Sequence, residues 1–522
     1  MIKIERCFNI TGACNPEKHY MVDLKSRLVQ VKEMVDKGKY FVINRGRQYG
    51  KTTLLKAVKK YLEDEYIIID MDFQMQMSQA KFETEKSFCE AFFSAIIRIS
   101  ERNKLLTEKQ RDLFRGLKEK AVPIDMVDLF YELSDMCQEL DKPVILMIDE
   151  VDQASNNQVF LDFLAQLRGY YLNRTELPTF HSVILAGVHD IRNLKRKIRN
   201  DEDHKHNSPW NISSPFDVDM NFSVKDIEGM LTEYEKDHHT GMDIVKISEQ
   251  IYDYTSGYPV LVSMVCKNID EGKLIWNTES VICAVKKIIT SGTPLLESLI
   301  NKLENDTDLN CFVYNLLFYG KKIVYNYYET TIRSAEMYGF IKNADGTVCI
   351  SNRIFETIIY DWYISTEAIS NSIFAEGTND KNQFITSGSL DMERVIERFA
   401  VHFREIYGDR PEKFIESEGR KLFLLYLRPI INGVGNYYIE AQTRDMKRTD
   451  VIVDYSGKQY IIELKIWRGE EYNTSGEQQL SEYLEYYNID KGYLVSFNFN
   501  KNRHTGLRMI ELNGKTIVEA TV

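Results

Sequence analysis

The stretch Asn44-Arg45-Gly46-Arg47-Gln48-Tyr49-Gly50-Lys51-Thr52-Thr53 decides the fold. An apolar run, Tyr40-Phe41-Val42-Ile43, leads into it, and Leu54, Leu55, Val58 and Leu62 follow at helical spacing. A glycine loop between a strand and a helix lets backbone N–H groups surround phosphate oxygens, with the helix N-terminus adding partial positive charge. In the pattern G-x-x-x-x-G-K-[ST], Lys51 would reach the β- and γ-phosphates and Thr52 would hold Mg²⁺. Position 45, where that pattern has its first glycine, is Arg45, and Gly46 comes one place later. The entry to the loop must therefore take a different shape.

Working outward, Tyr66-Ile67-Ile68-Ile69-Asp70 reads as a second strand. Val144-Ile145-Leu146-Met147-Ile148 is a buried strand ending in Asp149-Glu150, and Ser182 to Val188 is another, ending in His189-Asp190. Apolar strands alternating with helices predict a parallel sheet covered on both faces. Asp149 falls at the carboxyl end of its strand, where it would bind the Mg²⁺ shell, and Glu150 would polarise the attacking water. His189 is a candidate γ-phosphate sensor, with a satisfied loop histidine as the plain alternative. Arg168, Arg192 and Arg196 are candidates for the arginine that completes a nucleotide site, although helical arginines are mostly surface residues.

With 522 residues the chain is too long for one core and suggests about three or four domains. Hydrophobic residues at 43% and charged residues at 28% describe a globular, soluble protein, and no apolar run reaches the roughly 18 residues of a membrane span. The first residues lack the apolar core of a signal peptide. Eight cysteines are scattered without a C-x-x-C pair, which fits reduced thiols of a cytoplasmic protein and argues against a zinc site. The formal net charge of −12 argues against a passive nucleic-acid coat and against tight, unregulated DNA binding. The locally basic stretch from Arg192 to His206 reads as a solvated face or a DNA contact.

The last quarter carries a second constellation. Residues Pro411 to Tyr426 read as a helix in which Glu418 falls on the apolar stripe of Phe414, Ile415, Leu422 and Leu425, while Glu416 is rotated away. A carboxylate on a buried stripe is costly unless paired or metal-bound, which marks Glu418 as the candidate. Asp450 opens a strand, and Glu463-Leu464-Lys465 lies on the next, after a Tyr-Ser-Gly-Lys turn. Side chains alternate along a strand, so Glu463 and Lys465 share a face and Asp450 can sit beside them. Asp450 and Glu463 would hold Mg²⁺ or Mn²⁺, Lys465 would orient water and offset charge on a pentavalent phosphate, and Glu418 would assist the metal. The ordinary alternative is an ion pair of Glu463 with Lys465 on a sheet face.

The loop sequence, with His19-Tyr20-Met21-Val22 before it and Gly257-Tyr258-Pro259 after it, resembles a bacterial family of AAA-like ATPases whose members often have arginine where the first glycine belongs. The resemblance covers about the first two-thirds of the chain. It implies an AAA-type core, a helical lid and a winged helix, with the segment near Tyr20 and the lid flanking the adenine of ATP. From about Leu390 to the end, Glu418-Gly419-Arg420, Arg448-Thr449-Asp450, Glu463-Leu464-Lys465 and Gln479-Leu480 resemble the PD-(D/E)XK nuclease type fused to such ATPases. That resemblance implies that Gln479 assists at the active site.

The expected architecture is α/β and multidomain: a P-loop AAA-like core at 1–222, a helical lid at 223–298, a winged-helix-like unit at 299–365, a Ser/Asn/Gly/Thr-rich linker at 366–389, and a restriction-endonuclease-like α/β domain at 390–522. The expected activity is ATP-regulated, Mg²⁺-dependent cleavage of nucleic acid, with DNA ahead of RNA, in a homo-oligomer without membrane contact. Defence against foreign DNA is a role by analogy. A DNA-processing enzyme and a non-cleaving nucleotide-dependent switch are the alternatives.

Overall fold

The computed structural model describes residues 5–522 apart from 104–105, 120–122, 124, 155–156, 189–209, 319–322, 369–370, 387, 408–413, 415, 433, 443–447, 468–469 and 501–505. It divides into two compact units, Met1–Phe222 and Ser223–Val522.

In the first unit, β1 (Tyr40–Asn44), β2 (Ile67–Asp72), β3 (Val144–Asp149) and β4 (Ser182–Gly187) form a parallel sheet in the order β1-β4-β3-β2. Alternate residues of these strands feed two cores, as a sheet covered on both faces requires. Tyr40, Val42, Leu146 and Ile148 pack with Phe88, Phe92 and Phe163 of the helices Glu85–Arg102 and Gln158–Leu172. Phe41, Ile43, Ile145 and Met147 pack with Leu54, Leu55 and Val58 of the loop helix Lys51–Leu62. β4 lies between β1 and β3, so all the carboxyl ends meet along one edge, where β1 runs into the glycine loop and β3 ends in Asp149.

The second unit begins with the helices Val224–His238, Ile244–Thr255, Pro259–Glu271 and Thr278–Thr290. Further helices lead to a hairpin of β5 (Ile341–Ala344) and β6 (Thr347–Ile350). Its turn residues Asp345 and Gly346 have φ of 48° and 83°, the backbone that an Asp-Gly pair favours. The helix Arg353–Ala368 follows.

Residues 366–389 differ from the linker expectation. They contain the helix Ser372–Asp380 and a short hairpin of β7 (Ile385–Thr386) and β8 (Ser389–Leu390). At Gly377 a Cβ would stand 2.2 Å from the Tyr426 carbonyl oxygen, so this helix lies directly on the helix Glu416–Ile431. Asp380, 4% exposed, accepts from Tyr426 Oη at 2.7 Å and lies 2.8 Å from His402 Nε2. The segment thus holds a buried carboxylate satisfied by residues far along the chain, which its Ser, Asn, Gly and Thr content does not show.

The remainder is a six-stranded mixed sheet, ordered β13-β14-β12-β11-β10-β9. Its strands are β9 (Gly435–Gln442), β10 (Arg448–Tyr455), β11 (Lys458–Ile466), β12 (Lys491–Phe497), β13 (Gly506–Leu512) and β14 (Lys515–Thr521). β9, β10 and β11 run antiparallel, then the helix Glu470–Tyr486 crosses over to bring β12 parallel to β11.

Candidate functional site

The glycine loop is held open by backbone conformation. Gln48 has φ 57° and Gly50, the residue before the helix, φ 81°, which turns the chain sharply into Lys51. Lys51 is buried and donates from Nζ to the carbonyls of Arg45 and Gly46, each at 2.9 Å. Burial pushes its pKa down, while Glu150, Asp152 and Asp149 favour its charge. Thr52 Oγ1 donates to Asp149 Oδ2 at 2.6 Å, tying the loop helix to the carboxyl end of β3. Thr53 Oγ1 accepts from Cys14 N at 3.0 Å, which fastens the N-terminal segment to the same helix turn.

Asp149 is used at both oxygens, since Oδ1 accepts from the Glu150 amide at 2.9 Å. Glu150 has φ 54°, a conformation that a residue with a Cβ rarely adopts. Burial pushes the carboxyls of Asp149 and Glu150 up, and Asp149 adds to the shift of Glu150. A hydroxyl and a carboxylate meeting at a phosphate loop are hard oxygen donors of the kind Mg²⁺ takes.

Several residues of the expected nucleotide site make contacts within the protein. Arg45 turns away from the loop: Nη2 donates to the carbonyls of Phe216 and Val218 at 3.3 and 3.4 Å, and its guanidinium lies 5.6 Å from the Phe216 ring. These contacts hold Arg45 against the segment beside β1. Tyr20, expected beside the adenine, is 3% exposed, packed on Phe8 and under the Arg6 guanidinium. Tyr49 donates from its hydroxyl to Asn221 Oδ1 at 2.8 Å, while Arg47 and Gln48 are exposed. His189, Arg192, Arg196 and the basic stretch lie outside the described residues. Arg168 lies on the helix Gln158–Leu172, partly buried.

In the second unit, Glu463 and Lys465 lie on one face of β11, at 2% and 8% exposure, with Nζ 3.5 Å from Glu463 Oε1. Lys465 also donates to Gln479 Oε1 at 3.0 Å, which brings in the helix Glu470–Tyr486. Gln479 in turn donates to the Tyr483 hydroxyl at 2.6 Å. Tyr483, one helical turn on and 1% exposed, fixes the amide so that its oxygen faces the lysine. The sequence reading missed Tyr483, although its i, i+4 spacing from Gln479 was the available signal. The last paired step of β10 and β11 is Val451↔Ile462, and Asp450 and Glu463 are the next residues on the two strands. The side chain of Asp450 lies outside the described residues. Glu463 offers a hard oxygen donor for a divalent cation. Among the described residues, no group of three His, Cys, Asp or Glu side chains could hold a metal ion.

Glu418 does not lie on a buried stripe. The helix starts at Glu416, so both acids fall in its first turn, where the helix dipole favours negative charge, and Glu418 is exposed. The inward position belongs to Gly419, where a Cβ would come within 2.4 Å of the Phe497 ring.

β10 is anchored at its far end by a buried polar cluster. Asp454, 5% exposed, accepts from the Tyr254 hydroxyl at 3.4 Å. Arg353 pairs with Asp253 and lies 4.4 and 4.9 Å from the rings of Tyr254 and Tyr438. Burial pushes the pKa of Asp454 up to about 6.

Comparison with known proteins bears on the first of the two sites. No curated protein matches the chain. Among solved structures, the Walker-type ATPase PABY2304 of Pyrococcus abyssi is similar at 15% identity and a TM-score of 0.44, over 67% of this chain and 99% of that one. Cdc6p of Pyrobaculum aerophilum is similar at 14% identity and a TM-score of 0.32, over 69% and 97%. The ORC1 protein of Aeropyrum pernix in complex with DNA is similar at 10% identity and a TM-score of 0.30, over 65% and 93%. A family profile described as an AAA-like domain matches residues 16–361, a span that holds the glycine loop, Asp149 and the helices after the parallel sheet. With the loop, the strand-end carboxylate and the profile in agreement over most of its length, the chain belongs to the AAA-like domain family.

Proposed function

We propose that the chain is an ATP-binding and ATP-hydrolysing AAA-like protein whose last domain cleaves nucleic acid, DNA in the first place, with Mg²⁺ or Mn²⁺. The observation that carries the nuclease reading is the buried pair Glu463 and Lys465 on the strand next to that of Asp450, with Gln479 of the helix Glu470–Tyr486 accepting from the lysine. Burying a lysine and a glutamate costs free energy that a surface ion pair would avoid, and sites that retain such groups are commonly functional.

In the ATPase reading, backbone amides of residues 46–51 bind the phosphates and Lys51 exchanges its two carbonyl contacts for phosphate oxygens. Thr52 and Asp149 would hold Mg²⁺. Glu150, with its raised pKa, accepts a proton from the attacking water. His189 would sense the γ-phosphate, and an arginine from a neighbouring copy in a homo-oligomer would complete the site.

In the nuclease reading, Asp450 and Glu463 would hold the cation, with Glu418 reaching it from the exposed first turn of its helix. The cation when bound supplies Lewis-acid stabilisation of the phosphate. Lys465 orients the attacking water and offsets charge on the phosphate oxygens. Gln479, held by Tyr483, keeps the ammonium in place. Defence against foreign DNA would suit this pairing of activities.

The test is cleavage of linear, circular and single-stranded DNA, and of RNA, with Mg²⁺, with and without ATP. The expected result is cutting that is lost in Lys465→Ala. If wild type and Lys465→Ala behave alike on every substrate, the nuclease reading fails.

A further inference from the structure

The second unit contains a cavity of about 560 Å³, bounded by the helices Thr278–Thr290 and Arg353–Ala368 and by the turn from the helix Glu416–Ile431 into β9. That volume lies within the range of small-molecule sites, roughly 300–1,000 Å³. Its wall combines apolar surface, from Trp362 and isoleucine side chains, with a few convergent polar groups, the mix such sites use.

The polar groups are biased towards donors. Arg428 donates from Nη1 to the Asp361 carbonyl at 2.9 Å, and its Nε and Nη2 have no hydrogen-bond partner among the described residues. Asn436 Nδ2 is buried without a partner, a donor whose desolvation is uncompensated within the protein. Lys286 adds a second cation, its ammonium donating to the Val434 carbonyl. Against these stands one acid, Asp361, whose Oδ1 accepts from Tyr437 Oη at 2.5 Å and whose pKa is raised by burial. Two cations and an unpartnered amide donor line the cavity beside one acid.

We propose that this cavity binds a small organic anion, a phosphate or carboxylate on a compact body, with Arg428 and Asn436 donating to the anionic oxygens and Trp362 lining the body. Its lining shares no residue with the phosphate loop or with the Glu463 face. It stands whether or not the last domain cleaves nucleic acid.

The test is thermal unfolding of the full chain carrying Lys51→Ala, which keeps phosphate compounds from acting through the glycine loop. Phenyl phosphate and benzoate serve as probes at millimolar concentration. A ligand bound only by the folded chain raises the unfolding midpoint progressively with concentration. The expected result is such a rise with at least one probe, and its loss in Asn436→Asp, which keeps the side-chain size and places a negative charge against the ligand. A larger rise with phenyl phosphate assigns a phosphate, and one with benzoate a carboxylate. Arg428→Gln should weaken binding by about tenfold or more, consistent with loss of a charged donor. Should Arg428→Gln fail to fold, Asn436→Asp alone decides. No rise with either probe, or an equal rise in Asn436→Asp, overturns the proposal.

Discussion

The phosphate loop and the Glu463 face of the second sheet both gather charged groups at low exposure, but they are assembled differently. At the loop, Lys51 and Thr52 lie within eight residues of Arg45 in sequence, and only Asp149 and Glu150 come from elsewhere. The loop backbone is the device, and strand order brings the acids to it. At the sheet face the described residues are brought together by side chains instead. Glu463 and Lys465 are aligned by strand alternation, Gln479 and Tyr483 descend from a helix, and β10 is held by the cluster around Asp454. A site of the first kind tolerates distant change and fails at a few residues. One of the second kind depends on packing at several removes.

The largest expected effect is on the compact site. Glu150→Gln should retain ATP binding and lose ATP turnover by about 10²–10⁴-fold, the usual worth of a positioned base. Phosphate release at the wild-type rate would remove Glu150 from that role. Because burial raises the Glu150 pKa, the acidic limb of turnover should lie above the ordinary glutamate range, and a pH–rate profile measures it.

Next comes Lys465→Ala, expected to reduce cleavage by about 10²–10³-fold while leaving ATP turnover intact. Parallel loss of both activities would mean that the two sites are not separable as described.

A third effect probes the support of β10. Asp454 has a folded-state pKa raised above the unfolded value, so the folded chain binds the extra proton between the two values. Its contribution therefore falls as pH rises through about 6. Asp454→Asn, which cannot ionise, should gain stability relative to wild type across that rise by on the order of 3 kcal/mol. Urea unfolding at about pH 4 and above about pH 6 reads the difference, and a pH-independent gap would contradict it.

Smaller still, Gly377→Ala should destabilise the second unit by about 1–3 kcal/mol, the cost of forcing a methyl against the Tyr426 carbonyl. A neutral result would mean that 366–389 behaves as a linker after all. Tyr483→Phe, which removes one hydrogen bond to Gln479, should reduce cleavage only several-fold, by about 0.5–1.5 kcal/mol, without changing ATP turnover.

Legibility in the sequence followed the same division. The loop, its helix and the strand ending in Asp149-Glu150 were readable because each is a local pattern: an apolar run, a glycine turn, a helical period. The E-x-K strand was readable by alternation, and Gln479 by resemblance. Glu418 was misplaced because its stripe depended on where the helix began, and the start at Glu416 makes Gly419 the inward residue. The segment 366–389 reads as a linker from its Ser, Asn, Gly and Thr, while the helix within it is held by contacts with distant residues, those of Asp380 being 22 and 46 positions away.

By itself the sequence determined the elements and the chemistry each could carry, since phosphate loops and alternating strands are set by residue type and short-range spacing. Only the tertiary structure decided which charged groups meet. It set Arg45 on the carbonyls of Phe216 and Val218, joined Lys465 to Gln479 and Gln479 to Tyr483, and left Glu418 exposed. The reason is physical: the cost of burying a charge is settled by whichever partner reaches it, and partners distant in sequence are brought within reach only by the packed fold.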